Sequence, residues 1–289
     1  MNNLIKIDSD SLCFFSSRDS IEESILNIKD RINTIITRTE ATHFLLCLTG
    51  SQGWRYKIYP EYKQKRKDNA IKYPQKLKYL KTLKSFLIEE YNAMLIPDQE
   101  ADDLVAYKYN LPEFEQMLSS CDKDVVHQIE GTIYNYQKDE FITTTKESGK
   151  RFLMWQLICG DSTDNIPGLK LRTDYIKKTY SLDNRSGVGE STANKILNII
   201  ESRNQNYAAE ILKCYISKYE DEPINVLVAD NLYRHGKTKE ELGFEDYTLN
   251  RHLLQLQTGI GKYNKILENY DVRSHINKVP KIINQIEEF

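Results

Sequence analysis

The sequence predicts an α/β protein with a mostly parallel central sheet flanked by helices. Short continuous apolar runs alternate with stretches whose apolar residues recur at helical spacing, which is the pattern of strand–helix–strand units. After about residue 151 the strand signals thin out and helical patterns dominate. Acidic residues also gather just past several predicted strands, the end at which open α/β sheets hold ligands. The expected division is an α/β region over 1–160 and a helical region over 161–289.

The elements follow in order. Residues 4–7 read as a short strand ending at Asp8, and Ile21, Ile25, Ile28, Ile32 and Ile35 mark a helix over 21–36. "HFLLCL" at 43–48 suits a strand buried on both faces. A helix is expected over 75–91, a strand at 93–96, and a helix through "IPDQEADDLVAY" at 96–107. Strands near 116–120 and 132–136 come next, so that Asp8, Glu100 and Asp122 each fall beyond a strand's carboxyl end. The closing segment "VPKIINQIEEF" reads as an amphipathic helix packed on the core.

The 289 residues are 40% hydrophobic and 28% charged, ordinary for a soluble globular chain, and a net charge of -2 gives no hint of nucleic acid by itself. Five scattered cysteines without a CxxC pair read as free thiols in a reducing compartment. The amino end has too short an apolar run for a signal peptide or a membrane span, so a cytoplasmic protein without membrane association is expected.

"IPDQEADDLVAY" packs Asp98, Glu100, Asp102 and Asp103 into six positions. A helix start accounts for two of them, with Asp98 as N-cap and Glu100 at the positive end of the dipole. Asp102 and Asp103 are expected at or past the end of the first turn, where a divalent metal or solvent must neutralise them. "SSCDKDVV" adds Asp122 and Asp124, and "LICGDSTDNIPGL" adds Asp161 and Asp164. Any single pair could be a solvated loop or a cap. Burying the whole set without cations would cost roughly several kcal/mol per ion. Oxygen-only ligands favour Mg²⁺ or Mn²⁺ over zinc, and two such ions about 4 Å apart suit phosphodiester hydrolysis.

Between Arg55 and Lys84 stand eleven basic residues against two acidic ones, Glu61 and Asp68, with Tyr56, Tyr59, Tyr62, Tyr73 and Tyr79 interleaved. Such a stretch can grip phosphates and stack unpaired bases, although an exposed lysine-rich helix looks similar. In "RSGVGESTANKILNII", Gly187 and Gly189 would allow a tight turn, with backbone N–H groups at the next helix start and Lys195 one turn on. A turn joining two helices is the plain alternative.

"IDSDSL", "YPEYKQKRKDN", "DQEADDLVA", "SCDKDVVHQI", "GDSTDNIPGL" and "GVGESTANKIL" resemble, in order, the signature blocks of the flap endonuclease family of 5′ nucleases, over about residues 4–200. The likeness is to the stand-alone bacteriophage-type enzymes; the same nuclease is fused to bacterial DNA polymerase I. The resemblance implies a PIN-like 5′ nuclease fold with a basic helical arch at about 55–92 and a helix-hairpin-helix element at about 185–200. It implies a metal-dependent 5′ to 3′ exonuclease that also cuts 5′ flaps.

By position, Asp8, Glu100, Asp102, Asp103 and Asp122 match acids that hold the catalytic metals, and Asp124, Asp161 and Asp164 those of a second ion. Lys63 and Arg66 match the pair that grips the scissile phosphate, and Asp103 and Asp122 belong with them in the catalytic set. Tyr62 resembles an aromatic that stacks a terminal base. Arg55, Lys65, Ser191 and Thr192 join Tyr62, Lys63, Arg66, Gly187, Gly189 and Lys195 as expected DNA contacts, and the hairpin as a K⁺ site. The implied partner is DNA with 5′ ends or flaps, or an RNA–DNA hybrid, bound by a monomer in a host-cell cytoplasm.

Two departures stand out. Some family members carry another acid after the second strand, where Leu48 and Thr49 stand here. "LKLRTDYIKKTYSLDNRS" also separates "DNIPG" from the glycine hairpin; this basic segment reads as a tolerated surface insertion, with contact to DNA as the alternative. The missing acid is the feature that speaks for a catalytically weak or silent junction-binding protein of the same fold. A PIN-type ribonuclease is remoter, because the arch and the hairpin disfavour it.

Overall fold

The computed structural model describes residues 2–51, 53–66, 68, 78–219, 239–255, 267 and 270–280. The middle of the expected arch, with Lys67, Lys72, Tyr73 and Lys76, and the closing amphipathic segment from 281 onward lie outside the described residues. The chain forms two compact units, one of 1–57, 67–149 and 256–289, the other of 58–66 and 150–255. The division therefore differs from a single cut at residue 160, because each unit borrows a segment from the other's part of the sequence.

The first unit is an α/β sheet. Its strands are β1 (Asn2–Asp8), β2 (His43–Thr49), β3 (Met94–Ile96), β4 (Phe114–Ser119), β5 (Gly131–Asn135) and β6 (Glu140–Thr144), in spatial order β3-β2-β1-β4-β5-β6. The pairings from β3 through β5 are parallel, and a short β7 (Asn277–Lys278) returns to pair antiparallel with β2. The sequence order reverses at β1, which lies between β2 and β4. That switch point is where parallel sheets open a ligand crevice.

Both faces of the sheet are covered, which explains the uninterrupted apolar runs. Ile5, Ile7, Phe44, Leu46 and Leu48 pack with Ile28, Ile32, Ile35, Leu83 and Leu87, while Leu4, Leu45 and Cys47 pack on the opposite side with Leu104, Val105 and Val125. The first set of partners comes from α2 (Ile21–Thr39) and α4 (Leu80–Tyr91), which follows the short α3 (Trp54–Ile58), and Leu12 and Cys13 of α1 (Ser9–Ser16) join them; the second comes from α5 (Ala101–Ala106) and α6 (Lys123–Gln128). Ser20 caps α2 by accepting the N–H of Glu23 at 3.1 Å.

Two expectations change here. The helix expected over 75–91 runs over Leu80–Tyr91, residues 75–77 lying outside the described residues, and "TIYNY" continues into an antiparallel hairpin with β6. Asn135 Oδ1 accepts the N–H groups of Gln137 and Lys138, an Asx turn that folds the chain back. Lys6, a cation within a buried strand, donates from Nζ to the carbonyl of Tyr107 at 2.5 Å, at the negative end of α5.

The second unit is helical: the later part of α7 (Lys146–Cys159), α8 (Asp174–Thr179), α9 (Glu190–Ser202), α10 (Tyr207–Ser217) and α11 (Lys239–Leu254). A Cβ on Gly243 would stand 2.6 Å from the backbone of Ile216, so the glycine sets how closely α10 and α11 approach. The expected surface insertion is not superficial. Leu169 and Ile176 are fully buried and Tyr180 nearly so, while Thr173 and Ser217 share a hydrogen bond of 2.7 Å.

Candidate active site

At the switch point the ends of β1 and β4 place acids side by side. Asp8, 3% exposed, accepts a hydrogen bond at Oδ2 from Ser120 Oγ at 3.0 Å. The same Ser120 oxygen accepts the Asp122 N–H at 3.0 Å, and Asp122 Oδ1 accepts the Asp124 N–H at 2.8 Å as the cap of α6. One run of hydrogen bonds thus ties together three acids from two strand ends. Burial, then the nearby charges of Asp10 and Asp122, push the Asp8 carboxyl up to about 7.

The acids of α5 follow a different logic. The helix begins at Ala101, so Glu100 occupies the N-cap position and Asp102 and Asp103 lie inside the first turn, not beyond it. Asp98 is no cap. It takes a left-handed φ of 65° in the preceding turn and pairs with Lys57 at 2.5 Å.

Asp103 is fully buried, and its counter-charge comes from the protein. Arg55 Nη1 lies 2.6 Å from Asp103 Oδ2 and 2.7 Å from Glu100 Oε2, and Nη2 lies 2.9 Å from Asp103 Oδ1. Trp54 Nε1 also donates to Asp103 Oδ2, at 3.1 Å. Arg55 is 1% exposed, so the expectation that it contacts DNA is corrected: burial keeps it from an outside phosphate.

Asp10 was missed in the sequence. It opens α1 two residues after Asp8, and its Oδ1 accepts the N–H of Thr49 at 3.3 Å and faces Lys84 Nζ at 2.7 Å. A carboxylate therefore stands beside Thr49, at the end of β2, where the chain's own second strand supplies none. The signal was available in "IDSDSL", whose second aspartate had no assigned task.

The donors suit hard cations. Glu100, Asp102 and Asp103 can each present an oxygen within 4.8 Å of the others, with no Cys or His in the group. Asp8 and Asp122 add oxygens whose mutual repulsion already raises the Asp8 proton affinity.

The second unit holds the remaining acids and the basic pair. Asp161 organises its loop: its Oδ1 accepts the N–H groups of Thr163 at 2.8 Å and Asp164 at 3.3 Å. Gly160 and Gly168, at φ 75° and 61°, let two backbone segments touch where a side chain would collide. Arg66 Nη2 lies 2.6 Å from Asp164 Oδ1, Lys63 Nζ 3.8 Å from Oδ2, and the Lys63 N–H donates to the Asp164 carbonyl at 2.9 Å. Lys63 holds a left-handed φ of 54°.

Tyr62 is 2% exposed and donates its hydroxyl to Asp164 Oδ2 at 3.1 Å, so its ring is packed and not offered to a base as expected. Lys65 is exposed.

At the glycine hairpin, Gly187, Gly189, Ser191 and Lys195 are exposed. Gly187 pairs across a bridge with Leu171, and neither glycine adopts a positive φ. A Cβ on either would meet nothing within 4 Å, so no internal crowding demands glycine there. Thr192 departs from expectation: it is buried and accepts from Arg172 Nη2 at 2.6 Å. Arg172 also donates to the Gly187 carbonyl at 2.7 Å and pairs with Asp183, so this basic residue of the extra segment braces the hairpin.

The fold is similar to that of bacteriophage 5′ nucleases. The family described as 5′-3′ exonuclease, N-terminal resolvase-like domain matches residues 15–152. The exonuclease of Escherichia phage T7 is 27% identical over 181 residues, 58% of this chain and 59% of that protein, so the chain spans little more than half of that relative. In structure, the bacteriophage T5 flap endonuclease, in a pseudo-enzyme–product complex with DNA and metal ions, matches with a TM-score of 0.55 at 18% identity, over 89% of each chain. The T5 5′-exonuclease with bound zinc gives 0.58 at 18% identity, over 89% of this chain and 90% of that one. Among the described residues no helix is long and apolar enough to cross a membrane.

Proposed function

We propose that this protein is a metal-dependent 5′ to 3′ exonuclease and 5′-flap endonuclease that hydrolyses DNA phosphodiesters in replication or repair, RNA primers included. The observation that carries this reading is the hydrogen-bonded run Asp8–Ser120–Asp122–Asp124 at the carboxyl ends of adjacent parallel strands. Asp8, Glu100, Asp102 and Asp122 would hold Mg²⁺ or Mn²⁺, with Asp124 assigned to a second ion; Asp161 and Asp164, to which the resemblance gives the same task, belong to the helical unit. Such ions supply a more acidic water and neutralise the charge of the leaving oxygen.

The side chains have separable tasks. Lys63 and Arg66 donate to the scissile phosphate and stabilise its growing charge. Lys65 adds charge along the strand, and Gly187, Gly189, Ser191 and Lys195 lie against the duplex backbone, where bare glycine gives phosphates room and K⁺ can bridge. The protein acts as a monomer in the host cytoplasm. A silent junction binder drew its support from the acid missing after β2, and Asp10 beside Thr49 removes much of that support.

The test is digestion of 5′-labelled flap, nicked and blunt DNA with and without Mg²⁺. Products released from the 5′ end only with the dication are expected. Tight binding without cleavage of any substrate would refute the enzyme.

A further inference from the structure

The sequence places Asp103 among the metal ligands, yet its oxygens are already engaged. Oδ1 accepts from Arg55 Nη2 at 2.9 Å, and Oδ2 accepts from Nη1 at 2.6 Å and from Trp54 Nε1 at 3.1 Å. The two guanidinium bonds form a parallel fork, the geometry in which arginine and carboxylate bind most strongly. Both partners are shut from solvent, at 1% and 0% side-chain exposure, so removing either would strand the other's charge in the core. A cation reaching Asp103 would have to break that fork and leave Arg55 buried beside it.

The same Nη1 also reaches Glu100 Oε2 at 2.7 Å. Glu100 is thereby turned about a fixed point at the start of α5, with Asp102 next along the helix.

We propose that Arg55 is a positioning residue of the acidic site and that Asp103 is its counter-ion, not a metal ligand. The guanidinium holds Glu100 and Asp103 together before any dication arrives, and the ligand work of this segment falls to Glu100 and Asp102. This rests on the metal-nuclease reading for the identity of the ions, but the pairing itself does not.

The experiment is a double-mutant cycle on the full chain with Arg55→Met, Asp103→Leu and both together. Melting is followed in EDTA, and Mn²⁺ binding is followed by calorimetry. Each single change should lower the metal-free melting temperature sharply, and the double should recover most of the loss. The double should bind as many Mn²⁺ ions as the wild type, with affinity within about threefold. R55M, with Asp103 released as a new ligand, should gain more melting temperature from saturating Mn²⁺ than the wild type does, which a purely structural arginine would not cause.

Additive losses in the double, or a lost Mn²⁺ equivalent, would overturn the proposal. If D103L does not fold, D103N decides: unchanged Mn²⁺ stoichiometry with a lowered metal-free melting point supports the pairing, and a lost ion refutes it. Wild-type protein that binds no Mn²⁺ would sink the nuclease reading, while the EDTA cycle would still decide whether Arg55 and Asp103 are coupled.

Discussion

Arg66 and Asp164 form a 2.6 Å ion pair within the helical unit, and the same carboxylate receives the Tyr62 hydroxyl. Asp164 thus fixes the segment on which both candidate phosphate-gripping cations sit. Asp164→Ala should slow cleavage at saturating DNA by about 10²-fold, through misplacement of those cations together with loss of a carboxylate assigned to the second ion, with little change in DNA affinity. Lys63→Ala should show the same split, because its charge matters most in the transition state. Single-turnover rates beside binding titrations check both; a loss confined to binding would contradict the assignment.

Metal-free stability should depend on pH through two buried groups of β1. Native Asp8 keeps its proton up to about 7, whereas the unfolded chain releases it near 3.8, so this group lowers stability as pH rises from about 4 to 7. Burial lowers Lys6 to about 7 from 10.5, so native Lys6 gives up its proton first and stability rises above pH 7. Together they place a minimum near neutrality. Urea midpoints in EDTA across this range test it: Asp8→Asn should remove the acid-side fall and Lys6→Met the alkaline rise.

Asp10 stands where the second strand lacks an acid, and its charge is the largest electrostatic contribution to the raised Asp8 value after burial. Asp10→Asn should weaken Mn²⁺ binding about tenfold, in the manner of outer ligands, and leave the fold intact. Calorimetry measures the first and thermal melts the second. Unchanged Mn²⁺ affinity would remove Asp10 from the site.

The glycines separate into two kinds. Gly168→Ala should cost more than about 1 kcal/mol, since its φ of 61° disfavours a side chain and a Cβ would lie 2.4 Å from the Gly160 nitrogen. Gly187→Ala and Gly189→Ala should change stability by no more than about 0.5 kcal/mol, because their Cβ atoms meet nothing. They should nonetheless weaken duplex binding, read by fluorescence anisotropy. Full retention of affinity would show that the hairpin does not approach DNA.

Much of the scaffold was legible before any coordinates. Isoleucines at helical spacing gave α2, and the apolar run of β2 was readable because both faces of that strand are buried. The hairpin partner β6 escaped because "EFITT" is mostly exposed at the sheet edge and its turn depends on one Asn135 side chain. The short α1 and α3 escaped too, being held by tertiary contact more than by periodicity.

Residue types, spacing and order along the chain were enough to give the class of fold, the clusters of acids and the basic segment, because these follow from local periodicity and charge. They could not say which charge answers which. That Arg55 meets Asp103, that Tyr62 and Thr192 face inward, and that Asp10 reaches Thr49 were settled only in three dimensions. Burial and through-space distance select a charge's partner, and both depend on residues far apart in the chain.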